Sequence, residues 1–330
     1  MNRKILYSLM LFAMTFVLAT GCDKDDDDGG SSNLTPKQKA VKDYEDNYLA
    51  SEVDDIGWTG SVNGCDAGSV SQTSHEKVVQ RLNYFRRISG VSDNITHNES
   101  QNSMCQEAAL IMKANNNLSH NPPQSWQCWT QDGADAAAAA NIALSSQPGT
   151  MHSTSAVTGY IEDPGANNKK VGHRASLLLP GLEKVGHGST DQSNAILWME
   201  GNYDQSAESD PFVAYPPDNF IPGELMFPRW SFSITGANFD NANVTVASDG
   251  SDYNISYEAR ETVNGWPDSR IVWKVGGLDY PITEDKEFDV TVSGIQNAEK
   301  DSYSYTVKVF ATDAAKKMAK EGKKHEYIIK

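Results

Sequence analysis

The hydrophobic pattern changes its period near residue 206, and this change constrains the fold more than any other feature. Before it, apolar residues recur at helical spacing, as at Val78, Leu82 and Phe85. After it, apolar and polar residues alternate, as in Tyr303–Val309. Helices bury a stripe and half-buried strands bury every second residue. The sequence therefore predicts an α+β chain, with a helix-rich first part and an all-β second part.

The helix-rich part contains one dense segment, Tyr160–Gly188, with the triplet Gly172-His173-Arg174 where a short helix is predicted to begin. This position predicts that His173 faces a cleft. Capping signals, apolar periodicity and, for residues 134–143, a run of alanines predict the other helices. They cover residues 36–49, 73–89, 103–116, 134–143 and 153–161, and residues 195–200 are predicted to form a buried strand.

Six short period-2 segments follow, with turn signals between them, and they predict a β-sandwich of immunoglobulin-like size over residues 229–312. The segments are Trp230–Ile234, Val244–Ala247, Ile255–Tyr257, Ile271–Val275, Phe288–Val292 and Tyr303–Val309. Residues 206–228 contain five prolines and are predicted to be a linker. The Lys-rich residues 313–330 are predicted to be a loosely held tail.

The first 21 residues have the features of a secretory signal. Arg3 and Lys4 precede the apolar run Ile5–Ala19, which is too short to favour a membrane-spanning helix. The following Leu18–Cys22 resembles the lipobox of bacterial lipoproteins, which implies cleavage before Cys22 and acylation of that residue. An ordinary signal peptide with an incidental cysteine is the alternative.

Residues 22–36 are predicted to be a solvated tether, because a run of four aspartates followed by a Gly-Ser segment cannot form a core. The acidic run resembles the signal that sends some Gram-negative lipoproteins to the outer surface. The chain is therefore expected to be anchored in the bacterial cell envelope, in the outer membrane and surface-exposed, through lipid on Cys22. The net charge of −16 becomes −18 without Arg3 and Lys4, which argues against nucleic acid as a partner.

Four cysteines are present, and Cys22 is assigned to lipid. An exported chain can form a disulfide. Cys105 lies in an apolar helical run and is predicted to be a buried free thiol. Cys65 and Cys128 lie in loop segments rich in glycine and tryptophan, and we predict that they pair.

His120 and His173 each lie at the boundary of an element, from which side chains can reach a shared cleft. Two converging imidazoles favour zinc or another divalent cation, and such a site also needs acidic ligands. The nearest acids in the pattern are Glu162, Asp163 and Asp135. The alternative is two separate histidines that brace loops. Three others attract no functional interpretation: His75 and His97 are predicted to be solvated, and His187 to face either side of a strand.

Four segments carry a family resemblance in their order along the chain: FRRISGV, LSHNPP, NIA and GHRASLLLPGLEKVGHGS. Together they resemble the CAP superfamily of cysteine-rich secretory, antigen 5 and pathogenesis-related proteins, over about residues 74–200. The resemblance implies a CAP-type α-β-α sandwich over residues 37–205, followed by the all-β immunoglobulin-like sandwich. It also implies a cleft lined by two histidines and two acids that bind a divalent cation in several members.

Carried over by position, the family histidines are His120 and His173, and the second acid falls at Glu162 or Asp163. Ala140 stands where the first acid is expected, and Asp135 is about 500° of helical rotation away from that position. The loss implies a weaker metal site and argues against catalysis.

We therefore expect a ligand-binding or adhesion module for an extracellular lipid, glycan or peptide. A metal-assisted hydrolase acting on envelope or host polymers is the alternative, although no serine or cysteine is arranged as a nucleophile. A third possibility is a scaffold whose histidines only brace loops.

Overall fold

The first part of the chain folds around a five-stranded sheet with helices on both faces, and the fifth strand comes from residues 327–329. The computed structural model describes residues 34–147, 149, 151–199, 201–262, 268–322 and 327–329. The predicted signal segment, Cys22 and most of the predicted tether lie outside the described residues. The chain divides into two units, Met1–Thr35 and Pro36–Lys330, and every element given below lies in the second unit.

The helices are α1 Pro36–Asp43, α2 Gln72–Ile88, α3 Asn102–Asn115, α4 Gln131–Ala139, α5 Ser153–Glu162, α6 Gly172–Leu177 and α7 Asp313–Glu321. Short π and 3-10 segments continue α1 to Ser51. Within the described part of the chain, no helix has both the length and the apolar composition needed to cross a membrane.

The strands of the first part are β1 Thr96–His97, β2 Ala140–Ser145, β3 Lys184–Ser189 and β4 Ser193–Leu197. The strands that follow are β5 Val213–Tyr215, β6 Phe220–Pro222, β7 Arg229–Ile234, β8 Asn243–Ser248, β9 Ser251–Asp252, β10 Ile255–Glu261, β11 Ser269–Val275, β12 Lys286–Ser293, β13 Ser302–Phe310 and β14 Tyr327–Ile329.

The first sheet has the order β1-β3-β4-β2-β14, with β1 parallel to β3 and the other pairs antiparallel. Its two faces bury different side chains, as alternation along a strand requires. Ile142 and Leu197 pack with α3 and α4, whereas Ala143 and Ile196 pack in the core that contains α2 and α5. Gly188 lies so close to the α3 backbone that any side chain there would collide with Gln106.

The second part is a β-sandwich of two sheets, ordered β10-β11-β7-β5 and β6-β13-β12-β8-β9. Aromatic residues fill the space between them: Trp230 of β7 meets Phe288 of β12 with ring centroids 5.4 Å apart, edge to face. The mixed fold class is confirmed, with an α-β-α layer arrangement followed by a β-sandwich. The Cys65–Cys128 disulfide is also present, and Cys105 is a buried free cysteine.

The segment predicted as a linker contributes to this sandwich. Within residues 206–228, β5 pairs with β7 and β6 pairs with β13. Prolines are compatible with such short edge strands, where an N–H can be missing without breaking a ladder. The segment predicted as a tail contains α7, capped by the side chain of Thr312, and β14, which pairs with β2 of the first sheet.

The alanine-rich segment is also shorter as a helix than its composition predicts. Helix α4 ends at Ala139, and residues 140–145 form β2 instead. Alanine favours helices by only about 0.5 kcal/mol per residue over most others. The pairing of β2 with β4, and the burial of every residue in β2, outweigh this preference.

Candidate functional site

His173 is held at the start of α6 by one aspartate. Its backbone N–H donates to Asp163 Oδ2 at 3.0 Å, and its ring Nδ1 contacts Asp163 Oδ1 at 2.8 Å. Because a carboxylate accepts, Nδ1 carries a proton, and Nε2 is the nitrogen that a neutral ring offers as an acceptor. The Tyr160 ring stacks on the imidazole with centroids 5.9 Å apart.

Asp163 reaches His173 because the chain reverses sharply after α5. Asp163 ends α5 in the left-handed conformation with φ of 54°, which aspartate tolerates better than most residues. Val171, just before α6, is also left-handed with φ of 45°, which is rare for a β-branched residue. The Asp163 carboxylate is fully buried between them. Residues 163–171, which we call the α5–α6 loop, therefore form a strained reversal that holds the carboxylate against His173.

His120 follows α3 and is exposed. Its Nδ1 lies 2.7 Å from the carbonyl oxygen of Ala137 in α4. A carbonyl only accepts, so Nδ1 carries the proton and Nε2 offers the lone pair, as in His173. Histidines that bind metals are commonly oriented in this way by a carbonyl or carboxylate at the second nitrogen.

The junction of α4 and β2 connects the two histidines. Ala137 bonds the His120 ring, and four residues later Asn141 donates to the backbone carbonyl of His173 at 3.3 Å. Asn141 is itself held by the indole N–H of Trp198 at 3.1 Å. Both histidines of the predicted site thus contact the same short segment.

The predicted acids are placed differently. Asp163 directs both carboxylate oxygens at His173 and so orients that residue. Glu162 is half-buried at the end of α5, and its charge acts on the Arg174 guanidinium. Asp135 is exposed and bonds Gln131 one turn earlier. Ala140 is 3% exposed and packs among apolar residues of α3, α4 and β4.

These positions limit the donor set for a cation. Within the part of the chain that the structure describes, no three histidine, cysteine, aspartate or glutamate side chains are arranged to bind one metal ion. Zinc sites usually have three or four protein ligands. His120 and His173 each present Nε2 as an acceptor near this junction, and no third ligand joins them in a metal-binding group among the described residues.

Neither nearby serine is aligned with an imidazole. Ser176 Oγ donates to the backbone carbonyl of His173 at 2.7 Å, and the same Oγ accepts from Asn141 Nδ2 at 2.9 Å. Ser119 Oγ accepts from the backbone N–H of Asn121 at 3.0 Å. A serine nucleophile would need its hydroxyl bonded to the base, and these hydroxyls make other bonds.

A second group of histidines, which we call the histidine cluster, consists of His75, His97 and His187. His75 and His187 are buried, and the His75 and His97 rings stack with centroids 4.3 Å apart. The expectation that His75 and His97 are solvated fails for His75, which is 7% exposed. The three residues lie on α2, β1 and β3, and no spacing in the sequence links them.

Asn102 determines which nitrogens carry protons in this cluster. Its Oδ1 accepts from the backbone N–H of His187 at 3.2 Å and from Nε2 of His97 at 2.7 Å. Its Nδ2 donates to Nε2 of His75 at 3.4 Å, so the proton of the neutral His75 ring is on Nδ1. That Nδ1 donates to Nδ1 of His187, 2.9 Å away. His187 then carries its proton on Nε2. That atom and Nδ1 of His97 are buried and have no hydrogen-bond partner among the described residues.

The neutral forms are favoured in this cluster. Burial and the nearby His97 lower the pKa of His75 to about 4. Burial, followed by His75 and His97, lowers the pKa of His187 well below its ordinary value. If the His75 and His187 rings were both protonated, two N–H donors would face each other 2.9 Å apart. This geometry also favours the neutral forms.

Comparison with protein families identifies part of the chain. Residues 79–199 match the model described as CAP, the cysteine-rich secretory protein family. The matched range contains His120, His173 and Asp163, together with His97 and His187 of the histidine cluster. Comparisons with curated proteins and with solved structures give no match.

Proposed function

Since residues 79–199 belong to the CAP family, we propose that this chain is a cell-envelope protein whose CAP domain binds an extracellular ligand at His120 and His173. One observation carries the proposal. Both imidazoles are oriented through Nδ1, by Ala137 and Asp163 respectively, and both residues contact the α4–β2 junction. An oriented Nε2 on each ring suits recognition of a cation or of a donor group on a lipid, glycan or peptide.

We include a weakly bound divalent cation such as zinc in this proposal. His120 and His173 would hold it through Nε2, and a bound cation would polarise or attract a negatively charged ligand group. Glu162, which precedes Asp163, is the other acid of the predicted ligand set, and Asp163 would orient His173 from behind the ligand nitrogen. A small number of protein ligands is the reason to expect low affinity.

Zinc titration by calorimetry on the folded chain tests the site. His120→Ala and His173→Ala should each weaken zinc binding at least tenfold, whereas His152→Ala, which removes a histidine at the start of α5, should leave it unchanged. Equal zinc binding in all four proteins would reject the shared site. Loss of stability in the His173 variant, with zinc binding unchanged, would support the purely structural role.

We also propose that lipid on Cys22 anchors the chain in the outer membrane, with the acidic tether holding the folded part away from the surface. Cys22→Ala should move the protein from the detergent-extracted membrane fraction to the soluble fraction. Surface exposure is measured by protease accessibility in whole cells. A membrane-bound Cys22→Ala protein would contradict the lipid anchor.

The alternative function, a metal-assisted hydrolase acting on envelope or host polymers, has one supporting observation. A buried aspartate that bonds Nδ1 of a histidine is the arrangement that orients a general base. His173 would then take a proton at Nε2 from an attacking water. Cleavage of peptide or glycan panels that disappears in His173→Ala would favour this function over binding alone, and absence of cleavage by the native chain would reject it.

A further inference from the structure

The α5–α6 loop is bonded at both ends to arginines of the β-sandwich. Arg229 of β7 donates from one terminal nitrogen to the carbonyl of Asp163 and from the other to the carbonyl of Gly165, both at 2.7 Å. Arg270 of β11 donates to the carbonyl of Lys170 at 2.5 Å. Both arginines are at least nine-tenths buried. Charged donors form the stronger hydrogen bonds in proteins, and a guanidinium can fix two acceptors at once.

These bonds act where the backbone is strained. The loop begins at Asp163 and ends at Val171, both left-handed. Conformations of this kind persist when the surrounding structure holds them in place. Arg229 holds the first of these residues through its carbonyl, and Arg270 holds the residue just before the second.

The same position of β7 also fixes the other side of His173. The backbone carbonyl of Arg229 accepts from Arg174 at 2.9 Å, and Ser231 of the same strand accepts from the same guanidinium nitrogen at 3.0 Å. Arg174 directly follows His173 and donates to the carbonyls of Ile161 and Glu162. Asp163 is therefore hydrogen-bonded to β7 directly, and His173 is held through its neighbour Arg174.

We propose that Arg229 and Arg270 are positioning residues for His173: the β-sandwich holds the α5–α6 loop so that the Asp163 carboxylate fixes the tautomer and direction of the imidazole. The inference rests on the proposed function only in treating His173 as a functional residue. It gives the β-sandwich a role in the geometry of the site.

The test observes the His173 ring directly. In the native chain, the Nδ1 proton bonded to the buried carboxylate should give a protected downfield signal in proton-nitrogen NMR, assigned by its absence in His173→Gln. Arg229→Met should increase the exchange rate of that proton at least tenfold, because Asp163 loses its backbone support. Arg229→Lys keeps the charge and can reach one carbonyl, so it should restore part of the protection.

Arg260→Met is the matched control. Arg260 lies on β10 in the same sheet and donates to the carbonyl of Ala242 at 2.9 Å, within the sandwich itself. Its loss should leave the His173 signal unchanged even if the chain unfolds at a lower temperature. A merely structural role for Arg229 predicts that the two methionine variants behave alike.

An unchanged His173 signal in Arg229→Met overturns the inference. If that variant does not fold, Arg270→Gln is measured in the same way, and native protection of the His173 proton there has the same consequence. The NMR signal requires no ligand. The positioning role can therefore fail while zinc binding still depends on His120 and His173, and it can hold when that binding is absent.

Discussion

Replacing His75 by glutamine should make the fold more resistant to acid. In the folded chain the pKa of His75 is lowered to about 4 from the model-peptide value of 6.5. The unfolded chain therefore takes up the proton first as the pH falls below 6.5. The contribution of His75 to stability is fully present above that pH and is lost as the pH falls toward 4.

The size of this loss follows from the same two values. Each pH unit between them is worth about 1.4 kcal/mol, so the loss amounts to about 2 kcal/mol between pH 7 and pH 5 and about 3 kcal/mol by pH 4. Solvent screens a charge on His75 only weakly, because the residue is 7% exposed. The lowered pKa of His187 acts in the same direction, so the native chain loses more than His75 alone accounts for.

Urea unfolding of the full chain, followed by tryptophan fluorescence at pH 7 and pH 5, measures the effect. The acid-induced loss of unfolding free energy should be about 2 kcal/mol smaller in His75→Gln than in the native chain. His120→Gln removes an exposed histidine outside the cluster and should retain the native loss. An equal loss in all three proteins would show that the fold does not hold His75 neutral.

Three further changes have expected costs in stability, each measured by urea denaturation. Replacing Cys65 and Cys128 by serine removes a cross-link between residues 63 positions apart and should cost about 4 kcal/mol, because the unfolded chain gains freedom. A cost below about 1 kcal/mol would contradict this entropic explanation. Asp163→Asn replaces one of the two acceptors facing His173 by a donor and should cost about 1–3 kcal/mol; a neutral effect would show that one acceptor suffices. Arg86→Met removes the donor to buried carbonyls, including that of Leu177, and should cost about 3 kcal/mol. A cost near zero would show that water replaces the guanidinium.

The placement of His120 and His173 at element boundaries was predictable from the sequence. His173 begins α6 and His120 follows α3, as expected. The role of Asp163 was not predictable, since an acid near a histidine in sequence can be a ligand or an orienting group. The left-handed backbone at Asp163 turns the carboxylate back onto the His173 ring, and that conformation depends on bonds from β7, 66 residues away along the chain.

The histidine cluster shows a different limit. His75, His97 and His187 lie on three elements, and Asn102 joins them only after β1 and β3 have paired. A period-2 or helical pattern classifies each histidine by its own element. Polar networks between elements therefore leave no mark in local periodicity, even where, as here, they set the protonation of the buried groups.

The proline-rich segment 206–228 shows why the division between the two parts was difficult to place. Proline marks linkers and sheet edges alike, and only the pairing of β5 with β7 and of β6 with β13 distinguishes the two. Once paired, β7 gives its carbonyl and Ser231 hydroxyl to the buried guanidinium of Arg174. A buried charge without such acceptors is strongly destabilising. The helical part therefore depends on the β-sandwich for two of the acceptors that Arg174, the residue after His173, needs in its buried position.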